Sequence, residues 1–108
     1  VDPWDKKFEV VFSCDVLEHM SLAQIDAFFA RIKSAEVKYC YLVISLRKAV
    51  KTFSDGANVH ITVRDKNWWM TKVCGSLNKY VMHHCLHDPE AEELVIGLKR
   101  QEAQEKSA

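Results

Sequence analysis

The sequence predicts an α/β fold with two parallel strands, two helices and a C-terminal antiparallel hairpin. Two runs, residues 8–14 and 39–46, are almost continuously apolar, which is typical of strands covered on both faces in a parallel sheet. A segment with helical periodicity lies between them. A strand, a helix and a strand in this order form the right-handed unit of a parallel sheet. We therefore expect the first two strands to be parallel neighbours.

The first helix is marked by its capping residues. Ser21 and Gln24 have the spacing of a capping box, and Met20 is placed to pack against Ile25 across the first turn. The apolar face predicts a helix that ends near Ser34. That face consists of Leu22, Ile25, Phe28, Phe29 and Ile32.

A long irregular connection is predicted over residues 47–64, and connections of this length are often functional. Asp65 is the predicted cap of the second helix, which we expect Gly75 to end in the left-handed conformation. Two short strands follow, residues 79–86 and 93–98. The short loop between them predicts a hairpin, hence an antiparallel pair.

Length and composition restrict the class of protein. The chain has 108 residues, so we expect one domain over residues 1–100 and a polar tail over residues 101–108. Fifteen basic and fifteen acidic residues balance, which gives no reason to expect nucleic acid as a partner. No apolar run approaches the length of a membrane span. The four cysteines form no C-x-x-C pair, so we expect buried free thiols and a cytoplasmic location.

Two motifs carry a resemblance to a known family. The stretch F-E-V-V-F-S-C-D-V-L-E-H, from Phe8 to His19, resembles the fourth-strand motif of class I S-adenosylmethionine-dependent methyltransferases. The stretch N-V-H-I-T-V-R, from Asn58 to Arg64, is followed by two tryptophans. It resembles the N-x-H-x-T-x-R-P-x-x-W-W pattern of some subfamilies, with Asp65 in place of the proline. Together the matches predict the C-terminal half of a Rossmann-like methyltransferase sheet. The resemblance implies that the last strand of the hairpin lies beside the second strand.

The resemblance also implies site residues. Cys14, Asp15 and His19 are expected to contact S-adenosylmethionine. Asp15 and His60 are expected to act as catalytic residues near an unknown methyl acceptor, and a small molecule is one possible acceptor. Arg47 follows a strand's carboxyl end, where a cation attracts an acidic substrate. The substrate residues predicted are Arg47, Arg64 and Trp69.

Other interpretations of these residues stay open at the level of sequence. Asp15 could cap the turn before the first helix, and His60 could be a hydrogen-bonded loop histidine. Glu18 and His19 could be packing and turn residues. Of the adjacent Trp68 and Trp69, one is expected in the core and the other at the crevice or an interface.

The chain differs from the family in its glycines. Family members bind the cofactor through a glycine-rich loop, whereas this chain has three glycines and no G-x-G. We therefore expect the cofactor site to need a half supplied from elsewhere. The strand from Phe8 to Cys14 would then be an exposed edge, and one sheet face would be bare. This predicts a homo-oligomer, or a second chain that supplies the missing half. The alternative function is a non-catalytic remnant that binds a partner.

Histidines on the hairpin suggest a metal site at first sight. His83, Cys85 and His87 would share one face of a strand and offer zinc ligands. Successive strand side chains do not converge on a point, however, and no second ligand cluster is evident. The sequence therefore predicts no metal site.

Overall fold

The computed structural model describes residues 9–49 and 54–101. Phe8, which starts the predicted first strand, and the tail after residue 101 lie outside the described residues. A short 3-10 helix, Leu17–His19, follows the first strand. The helices are α1, Leu22–Ser34, and α2, Lys66–Ser76, and the strands are β1, Val10–Cys14, β2, Tyr39–Ser45, β3, Tyr80–Asp88, and β4, Glu93–Arg100.

The strands form one mixed sheet in the order β1-β2-β4-β3. β1 pairs with β2 in parallel, and β4 pairs with both β2 and β3 in antiparallel fashion. The prediction of an α/β domain with two parallel strands, a hairpin and two helices is confirmed. The predicted place of the last strand beside the second is confirmed as well. Each hairpin strand runs two residues further than the sequence suggested.

The helix starts follow the predicted caps. The Ser21 hydroxyl accepts from the Gln24 N–H at 3.2 Å, and the Gln24 side chain accepts from the Ser21 N–H at 2.8 Å. Asp65 accepts from the Trp68 N–H at 2.8 Å. The prediction that Gly75 ends α2 is wrong. The helix continues past it, because the Leu77 N–H still donates to the Val73 carbonyl, and the only described glycine with a positive φ is Gly56.

The core lies on one face of the sheet, against both helices. Alternate residues of β2 and β4 are fully buried there, and Ile25, Phe29 and Trp69 cover them from the helices. The strand residues are Cys40, Leu42, Ile44, Leu94, Ile96 and Leu98. No described helix is long and apolar enough to cross a membrane.

The other face of the sheet carries no described helix, and we call it the open face. In β1, Val10 is 51% exposed and Phe12 is 67% exposed, so the prediction that this strand is covered on both faces is wrong. The expected exposed edge and bare face are present in the described residues. The non-polar and tyrosine residues of the open face are Val10, Phe12, Cys14, Tyr39, Tyr41, Val43, Val81, Leu86, Val95 and Gly97.

A bulge in β3 changes the expected arrangement of the hairpin histidines. The register shifts between Met82 and His84, which breaks the alternation of side chains. The His83 ring consequently lies against Tyr41 on the open face, with ring centroids 5.6 Å apart. Cys85 lies on the opposite face, where its thiol is 3.9 Å from the Met70 sulfur in α2. The expectation that His83, Cys85 and His87 share a face is therefore wrong.

Candidate functional site

A polar crevice opens where β1 and β2 end. Its volume is about 260 Å³, which is below the range of roughly 300–1,000 Å³ that is usual for small-molecule sites. Open α/β sheets bind ligands at this end of their parallel strands. The lining residues are Asp15, Glu18, Ser45, Arg47, His60, Ala91 and Glu93.

Asp15 sits at the turn where the chain leaves β1. Its φ is 56°, a left-handed conformation that is uncommon outside glycine and is tolerated best by Asp and Asn. The Asp15 N–H donates to the Val43 carbonyl at 2.9 Å, so the sheet holds the turn in place. The neighbouring Cys14 thiol has a raised pKa because of local desolvation and, secondly, the Asp15 carboxylate. Backbone held in such a conformation at a crevice is typical of functional turns.

Glu18 forms the floor of the crevice and is fully buried. One carboxylate oxygen, Oε1, accepts from the Ser45 N–H at 3.3 Å. The other oxygen, Oε2, is buried and has no hydrogen-bond partner. Desolvation raises the pKa of Glu18 above its ordinary value, against hydrogen bonds from its own backbone and Ser45 that lower it. A buried carboxylate oxygen without a partner is costly, so it requires an explanation.

Two histidines approach this carboxylate from different parts of the chain. The His19 and His60 rings meet edge to face, with centroids 4.7 Å apart. His19 Nδ1 lies 3.0 Å from the Val59 carbonyl, and His60 Nδ1 lies 2.6 Å from the Arg47 carbonyl. A carbonyl only accepts hydrogen bonds, so Nδ1 carries the proton in both rings. A ring that carries its single proton on Nδ1 leaves a free lone pair on Nε2.

The polar residues of the N-x-H-x-T motif each make a hydrogen bond that positions the connection. Asn58 and His60 bond the start of the same connection, at Ala49 and Arg47, and Thr62 bonds Met20 outside it. Asn58 makes two hydrogen bonds with the Ala49 backbone, at 2.9 and 2.8 Å. The Thr62 hydroxyl donates to the Met20 carbonyl at 2.7 Å. The connection is thus docked beside the 3-10 helix, with His60 held at the crevice between its two anchors.

The structure brings some of the predicted site residues together and leaves others apart. Asp15, Arg47 and His60 line the crevice, and His19 lies against His60. Arg64 instead lies 5.3 Å above the Trp68 ring. Trp69 is fully buried in the core, the place expected for one of the two tryptophans. Substrate roles for Arg64 and Trp69 stay predictions, and the burial of Trp69 does not favour its role.

Four lining residues were not among the predicted site residues, namely Glu18, Ser45, Ala91 and Glu93. Glu18 was interpreted from the sequence as a packing and turn residue, as was its neighbour His19 in one interpretation. Ser45 and Glu93 are opposite one another in the β2–β4 pairing, which places both at the crevice. The register of β4 follows from the hairpin and the sheet order, so no local sequence signal marks Glu93.

Comparison of the chain with models of known protein families, with curated proteins and with solved structures found no match. The described residues define the class of protein at a coarser level. It is a small α/β domain with a four-stranded mixed sheet, two helices on one face and a polar crevice at the ends of its parallel strands.

Proposed function

We propose that the chain is the C-terminal half of a domain like that of class I S-adenosylmethionine-dependent methyltransferases, and that its crevice binds the methyl acceptor. The observation that carries the proposal is the crevice itself. It lies at the ends of the two parallel strands, and it joins the two motifs that resemble the family, through Asp15 from the first and His60 from the second. The strand order expected from the resemblance supports the same proposal.

The residues present fit an acceptor site better than a complete cofactor site. The crevice is small, and none of the three glycines lines it. S-adenosylmethionine would supply the methyl group, and the residues that would border it by resemblance are Cys14, Asp15 and His19. No step through the cofactor follows from these side chains alone. The glycine-rich half would come from another segment or chain.

Three side chains at the crevice could bind an acceptor or take a proton from it. The free Nε2 of His60 is able to take a proton from an acceptor hydroxyl or amine that enters the crevice. The Asp15 carboxylate can accept a hydrogen bond from the same group and orient it. Arg47 offers a positive charge to an acidic acceptor. Positioning in line with the methyl donor is expected to contribute more to the rate than proton transfer.

Amide NMR spectra of the full chain, titrated with S-adenosylhomocysteine, test this proposal residue by residue. We expect saturable shifts at Cys14, Asp15 and His19, the residues that would border the cofactor, and only in the millimolar range, because the chain has no glycine-rich loop to complete the site. Asp15→Asn should reduce these shifts, since it retains the left-handed turn and removes the charge. Asp26→Asn, at an exposed carboxylate on α1, is the matched control and should leave them unchanged. No amide shift up to millimolar ligand, with the sample at a known oligomeric state, would contradict the proposal.

A second candidate function rests on the open face. An apolar sheet face beside an exposed strand edge is typical of a surface that a partner covers. In this case the chain is a non-catalytic, methyltransferase-like module that associates through β1. A chain that self-associates and shows no shift with S-adenosylhomocysteine would favour this function over the first.

A further inference from the structure

We propose that Glu18, His19 and His60 form a binding site for one divalent transition-metal ion, with Glu18 Oε2 and the two histidine Nε2 atoms as ligands. The ligand atoms offered by these three residues all lie within 4.8 Å of one another. Among the described residues, Glu18, His19 and His60 are the histidine, cysteine or carboxylate side chains whose possible ligand atoms lie this close together in a group of three. This inference does not rest on the proposed methyltransferase function, and an ion bound at His60 Nε2 would replace the role of that atom as a proton acceptor.

The buried carboxylate supports a cation at this place. Glu18 Oε2 is buried without a hydrogen-bond partner, and it lies 4.0 Å from His19 Nε2. An ion between these atoms would give the oxygen the partner that it otherwise lacks. Because Glu18 Oε1 is held by the Ser45 N–H, the carboxylate presents Oε2 in a fixed position.

The histidines are oriented as metal ligands usually are. A ligating histidine commonly donates its second ring N–H to a carbonyl or carboxylate, which fixes the ring and its tautomer. Here Nδ1 of His19 donates to the Val59 carbonyl, and Nδ1 of His60 donates to the Arg47 carbonyl. Both Nε2 atoms are thereby available, and they come from segments 41 positions apart that the docked connection brings together.

Ligand type and geometry indicate the class of metal. Two imidazoles and one carboxylate are found at catalytic zinc sites and at non-haem iron sites. Bonds of about 2.1 Å in a tetrahedral site place the ligand atoms about 3.4 Å apart, so each side chain needs to move inward by less than about 1 Å. The His19 side chain is 42% exposed, which leaves room for water at a fourth position.

The charges around the crevice have both signs. Asp15 and Glu93 add two carboxylates to that of Glu18, and Arg47 adds one positive charge. The balance favours a divalent cation over an anion. The same carboxylates make the crevice a place where an ion would reduce repulsion between acidic groups.

Calorimetric titration of the full chain with zinc chloride, after treatment with chelator and in a phosphine reductant, tests the proposal. We expect one ion per chain and a higher melting temperature in its presence. Glu18→Gln keeps the shape of the side chain and its hydrogen bond to Ser45. It should nevertheless lower the affinity by more than the roughly 10- to 100-fold that loss of an outer-shell partner costs. His60→Ala should do the same.

His87→Ala is the matched control, since it removes an exposed imidazole outside the group and should leave the affinity unchanged. The absorption spectrum of the cobalt(II) complex distinguishes ligands, because thiolate coordination adds strong charge-transfer bands that imidazole and carboxylate do not. Their absence from the spectrum supports the assignment. Equal affinity in Glu18→Gln, thiolate bands, or no binding of zinc, cobalt or manganese at millimolar concentration would overturn it.

Discussion

At the scale of single residues, burial separates reactive cysteine thiols from protected ones. Cys40 is fully buried in the core, and desolvation raises its pKa to about 12. Cys14, Cys74 and Cys85 are exposed, so the prediction of buried thiols is wrong for these three. The thiolate is the reactive form, so a raised pKa lowers the reactive fraction at any pH below it. Exposure and pKa together therefore rank the four thiols.

Alkylation with iodoacetamide, followed by mass spectrometry, should reproduce this ranking. At pH 8 we expect Cys74 to react faster than Cys14, whose pKa is raised by local desolvation and by Asp15. Cys40 should stay unmodified until the protein unfolds. Asp15→Asn should speed the reaction of Cys14, because it removes the charge that opposes the thiolate, while Cys74 reacts at its former rate. Labelling of Cys40 as fast as the exposed thiols would contradict the buried position.

At the scale of elements, the glycines of α2 and β4 differ in the space that surrounds them. Gly75 lies inside α2, and a Cβ there would meet no atom within 4 Å. Gly97 lies in β4, where a Cβ would come within 2.9 Å of the Tyr41 ring and 3.1 Å of His84 Cβ. The open face is thus closely packed at Gly97, where Tyr41 lies across the strand.

Alanine at these two positions should change stability in opposite directions. Gly75→Ala should raise the free energy of unfolding by about 0.5–1 kcal/mol, because alanine restricts the unfolded chain and favours the helix. Gly97→Ala should lower it by about 1 kcal/mol, since Tyr41 and the backbone of β3 have to move. Urea denaturation followed by circular dichroism measures both changes. A Gly97→Ala variant as stable as the parent would show that the Tyr41 ring can accommodate a methyl group at position 97.

At the scale of the whole molecule, the exposed apolar surface lies mainly on one side of the sheet. The helices cover one face of the sheet, and the open face leaves Val10, Phe12, Val81 and Leu86 more than half exposed. A net charge of zero provides no overall repulsion between copies of the chain. A second copy is therefore a suitable occupant for the open face and the edge of β1.

Sedimentation velocity should reveal this association. We expect the parent chain to self-associate, and Phe12→Lys to shift it towards the monomer by placing a charge in the centre of the β1 surface. Leu22→Lys is the matched control, because Leu22 is an exposed apolar residue on α1, away from the open face. A monodisperse monomer for the parent chain at high concentration would contradict a self-associating surface.

The sequence by itself determined the elements and their order. The capping residues Ser21 and Asp65 marked both helix starts, because a cap is a local hydrogen bond between residues a few positions apart. The apolar runs and the short hairpin loop indicated the strands, and the resemblance indicated the place of β4 beside β2. Gly75 misled the prediction of a helix end, since a glycine allows a left-handed cap without requiring one.

Only the tertiary structure decided which side chains meet. The sequence pointed to Asp15 and His60 through motifs, yet it gave Glu18 a packing role and placed a possible metal cluster on β3. The hydrogen bonds of Asn58 and Thr62 bring His60 to Glu18 and His19, and the bulge in β3 separates His83 from Cys85. Local propensity acts over a few residues, whereas a site depends on how a long connection docks. That docking is set by contacts between distant segments, which no local pattern encodes.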